Sequence, residues 1–186
     1  MRESQSNSIR KFVLLSNDPL KLREKFLNRL SLGNLTRDED SASHFCVFFA
    51  PFDPVSKQVF LGHHVKGDRW LFNGGHLDLG ESPQETLRRE MAEEWGANIG
   101  LVKICDQHLI TVTNITNTVR SCKTHFDLWF FLEVNQQNFF PDEKKMAKEF
   151  HQWGWKTKKE ALALCHENGA DISQAIKIIF ENLIRS

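Results

Sequence analysis

The sequence predicts a mixed α and β domain of the α+β class. Apolar stripes at helical spacing recur three times, and six or seven short runs rich in Phe, Val, Ile and Leu read as strands. The 186 residues suffice for one full-sized core, and 40% apolar with 26% charged residues is an ordinary globular composition. Residues 1–40 read as an N-terminal helical extension and residues 41–186 as the main domain.

The first element is a helix. Asp18 is placed to cap it, Pro19 suits its first position, and Leu20, Leu22, Phe26, Leu27 and Leu30 form its apolar stripe, with Gly33-Asn34 as the stop. After a charged loop over 37–43, strands at 44–50 and 58–63 are joined by a turn at 51–57 and read as a hairpin. A short strand over 69–72 runs into Asn73-Gly74-Gly75, where two glycines imply a sharp turn or a close backbone approach. The next helix starts at Ser82, which forms a capping box with Glu85, and Pro83 takes the first helical position. Leu87, Met91 and Trp95 form its apolar face and Gly96 its stop. Strands are expected at 101–105, 109–113 and 124–134, the last with Phe126, Leu128, Phe130 and Leu132 on one face. A strand over 151–155 leads to a helix capped by Thr157 and Glu160, and a last helix from Asp171 buries Ile172, Ala175, Ile176, Ile179 and Leu183.

Lys plus Arg number 24 and Asp plus Glu 24. Zero net charge argues against a binder of nucleic-acid polymers that works by general positive charge, but leaves room for a small anionic ligand. No apolar run is long enough to cross a bilayer, and the polar first eleven residues lack a secretory segment, so a cytoplasmic protein is expected. Cys46, Cys105, Cys122 and Cys165 are scattered, with no zinc or redox spacing, and read as free thiols in a reducing compartment.

The helix from Ser82 carries the chemistry. At about 100° per residue, Glu90, Glu93 and Glu94 fall within an arc of about 100° beside the apolar face. The arrangement is unfavourable in itself. Glu90 repels Glu93 and Glu94 at spacings that cost a few tenths of a kcal/mol per pair, and the negative end of the helix dipole adds to this. Glu-rich helix faces also occur simply as solvated surface. A hard divalent cation is the other reason to gather oxygen ligands, and Mg²⁺ commonly bridges one or two carboxylates to a substrate's phosphates.

The segment from Gly75 to Ala97 resembles the signature of the Nudix hydrolase family. The pattern runs Gly75, five residues, Glu81, seven residues, Arg89-Glu90, an apolar residue, any residue, Glu93-Glu94, any residue, Gly96 and a final apolar position filled by Ala97. All seven invariant positions are met without a gap; with each residue type at about one in fifteen, chance would give this on the order of once in 10⁸ windows. The resemblance implies an α/β/α sandwich around a mixed sheet and hydrolysis of a nucleoside diphosphate linked to another group. It further implies that the Gly75 carbonyl and the carboxylates of Glu90, Glu93 and Glu94 hold Mg²⁺, with Mn²⁺ as a substitute. Arg89 would orient a catalytic carboxylate, and Glu81 would support the loop or the residues behind the ligands. Metal-assisted attack of water on phosphorus is the implied chemistry.

Members of the family often supply one more carboxylate after the helix. Glu149 is the choice, within a run up to Trp155 that resembles the family's closing strand and helix; Asp127 and Glu143 are rivals, and a surface charge is the plainer reading. His63-His64, Trp70, His76 and His125-Phe126-Asp127 echo a bacterial subgroup with a Gly-Gly-His loop. Trp70, His76 and Asp127 are therefore candidate substrate contacts, although Trp70 fits a core position as well as a base-stacking one. Each of these histidines also fits a loop or core role, and a zinc site among them is not expected, since no pair has helical ligand spacing and no cysteine is read as close to them.

Marks that accompany three subfamilies are absent: the downstream proline of ADP-ribose enzymes, the tyrosine of dinucleoside polyphosphate enzymes, and the Ser-Gln-Pro-Trp run of NADH pyrophosphatases. Nucleoside triphosphates and nucleotide sugars remain, and the missing basic stripe counts against capped RNA. The alternatives are a catalytically silent nucleotide-sensing module on the same fold and an isoprenoid diphosphate isomerase. The isomerase needs a cysteine that no motif here supplies. The extension and the last helix are candidates for homodimer contacts or for covering the pocket.

Overall fold

Two helices open the fold in the computed structural model of the chain, which describes residues 2–96, 100–115, 121–165 and 170–184. Helix α1 spans Arg2–Leu15 and α2 spans Leu20–Ser31. Next come β1 (Ser43–Asp53), β2 (Gln58–His64), β3 (Arg69–Leu71), β4 (Asn73–His76), α3 (Pro83–Glu94), β5 (Val102–Asn114) and β6 (Thr124–Val134). The chain closes with α4 (Glu143–Glu149), β7 (Phe150–Thr157), α5 (Lys158–Cys165) and α6 (Ala170–Ile178), the last running into a π-helical turn over Ile179–Leu183. The seven strands form one sheet in the order β3-β2-β1-β6-β5, with β4 pairing β1 and β7 pairing β2, and helices flank it. The α+β class expected from the sequence is the one observed. Among the described residues no helix is long and apolar enough to cross a membrane.

The contacts divide the chain into two compact units. The first comprises residues 1–48, 74–88 and 107–130. Its core is aromatic: Phe26 packs edge-on against Phe45 and Phe126, and Phe12 against Phe130. Helix α1, inside the helical extension expected over residues 1–40 but not itself placed from the sequence, buries Ile9, Phe12 and Val13, one helical face. Its Gln5 is also buried and grips the loop before α3, with Nε2 donating to the Asp78 carbonyl at 2.8 Å and Oε1 accepting from Gly80 N–H at 3.1 Å. Asp18 does not cap α2 as expected. Pro19 holds the N-cap position, while Asp18 is buried and accepts the Ile110 N–H at 2.8 Å. Burial holds the Asp18 carboxyl above its ordinary range.

The second unit comprises residues 49–73, 89–106 and 131–186. Trp95 packs edge-on against Phe49 and Phe139, and Phe139 against Phe60 and Trp155. The β1–β2 hairpin pairs Phe52 with Val59 and Asp53 with Gln58. Strand β7 pairs β2 along seven positions from Gln58↔Thr157 to His64↔Phe150. Gly62 lies under the Phe150 ring, which a Cβ would meet at 2.2 Å. Helix α4, also outside the sequence expectation, starts at Asp142, whose carboxylate accepts from Lys144 and Lys145 N–H. The two strands expected at 101–105 and 109–113 are one continuous strand, β5, because residues 106–108 stay extended.

Candidate functional site

Local sequence fixes where α3 begins and ends. Ser82 Oγ donates to the Glu85 carboxylate at 2.7 Å, and the Glu85 N–H donates back to Ser82 Oγ at 3.3 Å, the reciprocal capping box read from the sequence. Gly96, at φ +83°, follows the last turn. Ala97, the last position of the motif, lies outside the described residues. The helix therefore presents Arg89, Glu90, Glu93 and Glu94 from its final turns.

These four residues interact directly. Arg89 Nη1 donates to Glu90 Oε1 at 2.8 Å and stands 3.6 Å from Glu93 Oε2, so one guanidinium bridges two carboxylates. Glu90 is buried, Glu93 exposed and Glu94 half-buried. Fully buried Asn73 donates from Nδ2 to Glu94 Oε2 at 2.5 Å. Burial pushes the Glu94 carboxyl up to about 8 against the favourable Asn73 bond, and the charges of Glu90, Glu149 and Glu93 push in the same direction. The site thus holds more negative charge than its own hydrogen bonds neutralise, and its donors are hard oxygens, a set suited to a divalent cation.

Glu149 ends α4, in the same unit and close enough for its charge to act on Glu94. Its Oε2 lies 3.6 Å from His64 Nε2 and 3.5 Å from Lys66 Nζ, and its carbonyl accepts the Val65 N–H at 2.8 Å. The rival Glu143 sits at the opposite end of α4. The other rival, Asp127, is buried on β6 in the first unit, where its Oδ2 accepts from Thr113 Oγ1 at 2.5 Å and Thr111 Oγ1 at 3.2 Å. Trp70, half-buried on β3, has the Lys156 ammonium 5.0 Å from its ring centroid, which takes up one stacking face.

Gly75 and Glu81 belong to the first unit. Glu81 Oε2 accepts from Thr86 Oγ1 at 2.9 Å and from Asp78 N–H at 3.3 Å, tying the loop to the start of α3. Gly74 shows why two glycines stand here: a Cβ would lie 2.5 Å from the Val47 carbonyl oxygen and 2.8 Å from the Phe48 ring. The double glycine therefore marks a close backbone approach.

Sequence reasoning missed two features. Asn73 stood out only as part of a turn, yet it is the hydrogen-bond donor to Glu94. His76, expected as a substrate contact, packs against His44 and His125, with ring centroids 4.8 Å and 5.2 Å away, and buried Cys46 joins this group. The one available signal was His44-x-Cys46, which puts both side chains on one face of a strand.

Comparisons with known proteins agree with this geometry. The family model of the NUDIX domain matches residues 42–175. The RNA pyrophosphohydrolase of Rickettsia typhi is 27% identical over 141 residues, covering 70% of this chain and 86% of its own length. In structure, the chain resembles the E. coli dihydroneopterin triphosphate pyrophosphohydrolase, with a TM-score of 0.59 at 17% identity over 74% of this chain and 95% of that one. It likewise resembles the C. elegans Ap4A hydrolase, with a TM-score of 0.57 at 15% identity over 72% and 92% of the two chains. These two structural likenesses concern the fold. With the family model spanning most of the chain and the intact motif on α3, the chain belongs to the Nudix family and is a Nudix hydrolase, an enzyme acting on phosphoanhydrides.

Proposed function

We propose that the chain is a Mg²⁺-dependent pyrophosphohydrolase that cleaves a phosphoanhydride bond in a nucleoside di- or triphosphate derivative, with nucleoside triphosphates and nucleotide sugars as the favoured substrates. Residues 41–186 would form the hydrolase domain and residues 1–40 its helical extension. The carrying observation is the crowding of Glu90, Glu93, Glu94 and Glu149, which with burial raises the Glu94 carboxyl to about 8.

Glu90, Glu93 and Glu94, with the Gly75 carbonyl, would hold the cation, and Mn²⁺ would substitute for it. A cation held by these residues would supply positive charge for the substrate's phosphates and acidify the attacking water. Asn73 holds Glu94 in place by its hydrogen bond. Arg89, bonded to Glu90 and close to Glu93, orients the Glu90 carboxylate. Glu149, steadied by His64 and Lys66, takes the proton from the attacking water. Glu81 holds the loop that follows β4, the strand of Gly75. Cysteines 46, 105, 122 and 165, none of them in a disulfide, suit a reducing cytoplasm.

The test is a product-mass screen with Mg²⁺ and Mn²⁺ over nucleoside triphosphates, nucleotide sugars, ADP-ribose, dinucleoside polyphosphates and 5′-triphosphorylated RNA. Turnover of a small nucleotide, abolished in Glu93→Gln and Glu94→Gln with melting retained, is expected. Ligand binding without product across the whole panel would replace the proposal with the silent sensing module. A second reading, favoured by the name of the Rickettsia relative, is removal of pyrophosphate from an RNA 5′ end. Zero net charge argues against a long polymer footprint, and turnover of the RNA arm alone would establish it.

A further inference from the structure

The first unit holds a second group of ligand-type side chains, apart from the glutamates of α3. His44 and Cys46 stand two residues apart on β1, His76 ends β4 and His125 lies on β6, and both of these strands pair with β1. One ligand atom from each of the four lies within 4.8 Å of all the others. The three imidazole centroids are 4.8, 4.9 and 5.2 Å apart. His44 and Cys46 are buried, and His76 and His125 half-buried.

The orientation of His44 is already set. Its Nδ1–H donates to the Asp40 carbonyl at 2.9 Å, which fixes the tautomer and leaves Nε2 with its lone pair directed away from that bond. This is the arrangement that supports a metal-binding imidazole. Cys122 Sγ is 3.7 Å from the same Nε2, so a second thiol stands at the rim of the group. Three nitrogens and one sulfur form a borderline-soft donor set, poorly matched to Mg²⁺ and well matched to Zn²⁺. Ligand atoms around tetrahedral zinc are roughly 3.3–3.6 Å apart, given bonds of about 2.0–2.1 Å to nitrogen and 2.3 Å to sulfur. Side-chain movements on the order of 1 Å close the observed group to that geometry.

We propose that His44, Cys46, His76 and His125 form a structural zinc site that clamps β4 and β6 to β1. The site is independent of the hydrolytic reading and lies outside the carboxylate cluster. Its clamp acts one residue from Gly75 on the same strand. The full chain carrying Glu93→Gln and Glu94→Gln, with two of the proposed magnesium ligands removed, should retain one zinc per chain after dialysis, by metal analysis. Co²⁺ loaded into the same protein should show tetrahedral ligand-field bands and a thiolate charge-transfer band. Cys46→Ser should lose the charge-transfer band, and His125→Asn should lower Zn²⁺ affinity by at least tenfold. A chelator should lower the melting temperature of the wild type, and Zn²⁺ should restore it. A properly folded wild type that takes up no zinc, or an octahedral Co²⁺ spectrum without thiolate character, would overturn the proposal even if the substituted chains failed to fold.

Discussion

Asn73→Ala separates the support of the carboxylate cluster from its ligands. Asn73 is fully buried, and its amide donates to Glu94. That bond favours the ionised carboxylate, so its loss pushes Glu94 further above the value of about 8 that burial and its neighbours already impose. A hydrogen bond to a charged group contributes about 1.5–3 kcal/mol. Metal binding requires the ionised form, so at neutral pH the Mg²⁺ concentration for half-maximal activity should rise roughly 10- to 150-fold. The defect should shrink at high Mg²⁺ and as pH rises from 7 toward 9, where a larger share of Glu94 is ionised. Asn73→Asp should be worse at neutral pH, since it sets another acid against Glu94. The assay is product release as a function of Mg²⁺ at pH 7 and pH 9, with melting followed in parallel. A folded Asn73→Ala protein with wild-type Mg²⁺ dependence, or with a loss of rate that neither Mg²⁺ nor pH moves, would refute the reasoning.

Other outcomes follow from the same contacts. Glu94 has a folded-state pKa raised above 4.5, so its ionisation costs the metal-free protein nothing at low pH and progressively more as pH rises toward about 8. The melting temperature in EDTA should fall over that window, and Glu94→Gln should flatten the fall. Gln5→Ala removes two hydrogen bonds to the loop at Asp78 and Gly80 and should cost about 1–3 kcal/mol, read from urea midpoints. Gly62→Ala drives a methyl into the Phe150 ring and should cost about 1–3 kcal/mol, with faster amide exchange along β2 and β7 as the check.

Where chemistry was written locally, the sequence was readable. Ser82 with Glu85 and Thr157 with Glu160 are contiguous signals, and both form the bonds their spacing implies. The double glycine implied close approach, and Val47 proves to be what Gly74 approaches. Helix α4 stayed hidden because Met146 is its one buried residue, too little for a period to register. Helix α1 stayed hidden because its stripe of Ile9, Phe12 and Val13 is short and its buried Gln5 is polar, held by partners more than seventy residues away. The histidine group and the Asn73–Glu94 bond likewise depend on strand pairing and helix placement, which no linear spacing encodes.

The way the leading helices cover the sheet has a practical consequence for anyone trimming the protein. A fragment cut to the family-matching segment 42–175 would strip Phe12 and Phe26 from Phe45, Phe126 and Phe130 and wet an aromatic face built to stay dry. It would also untie the loop that Gln5 holds. Boundaries drawn from family resemblance would therefore yield a sticky, loosened protein, and purification should keep the opening residues.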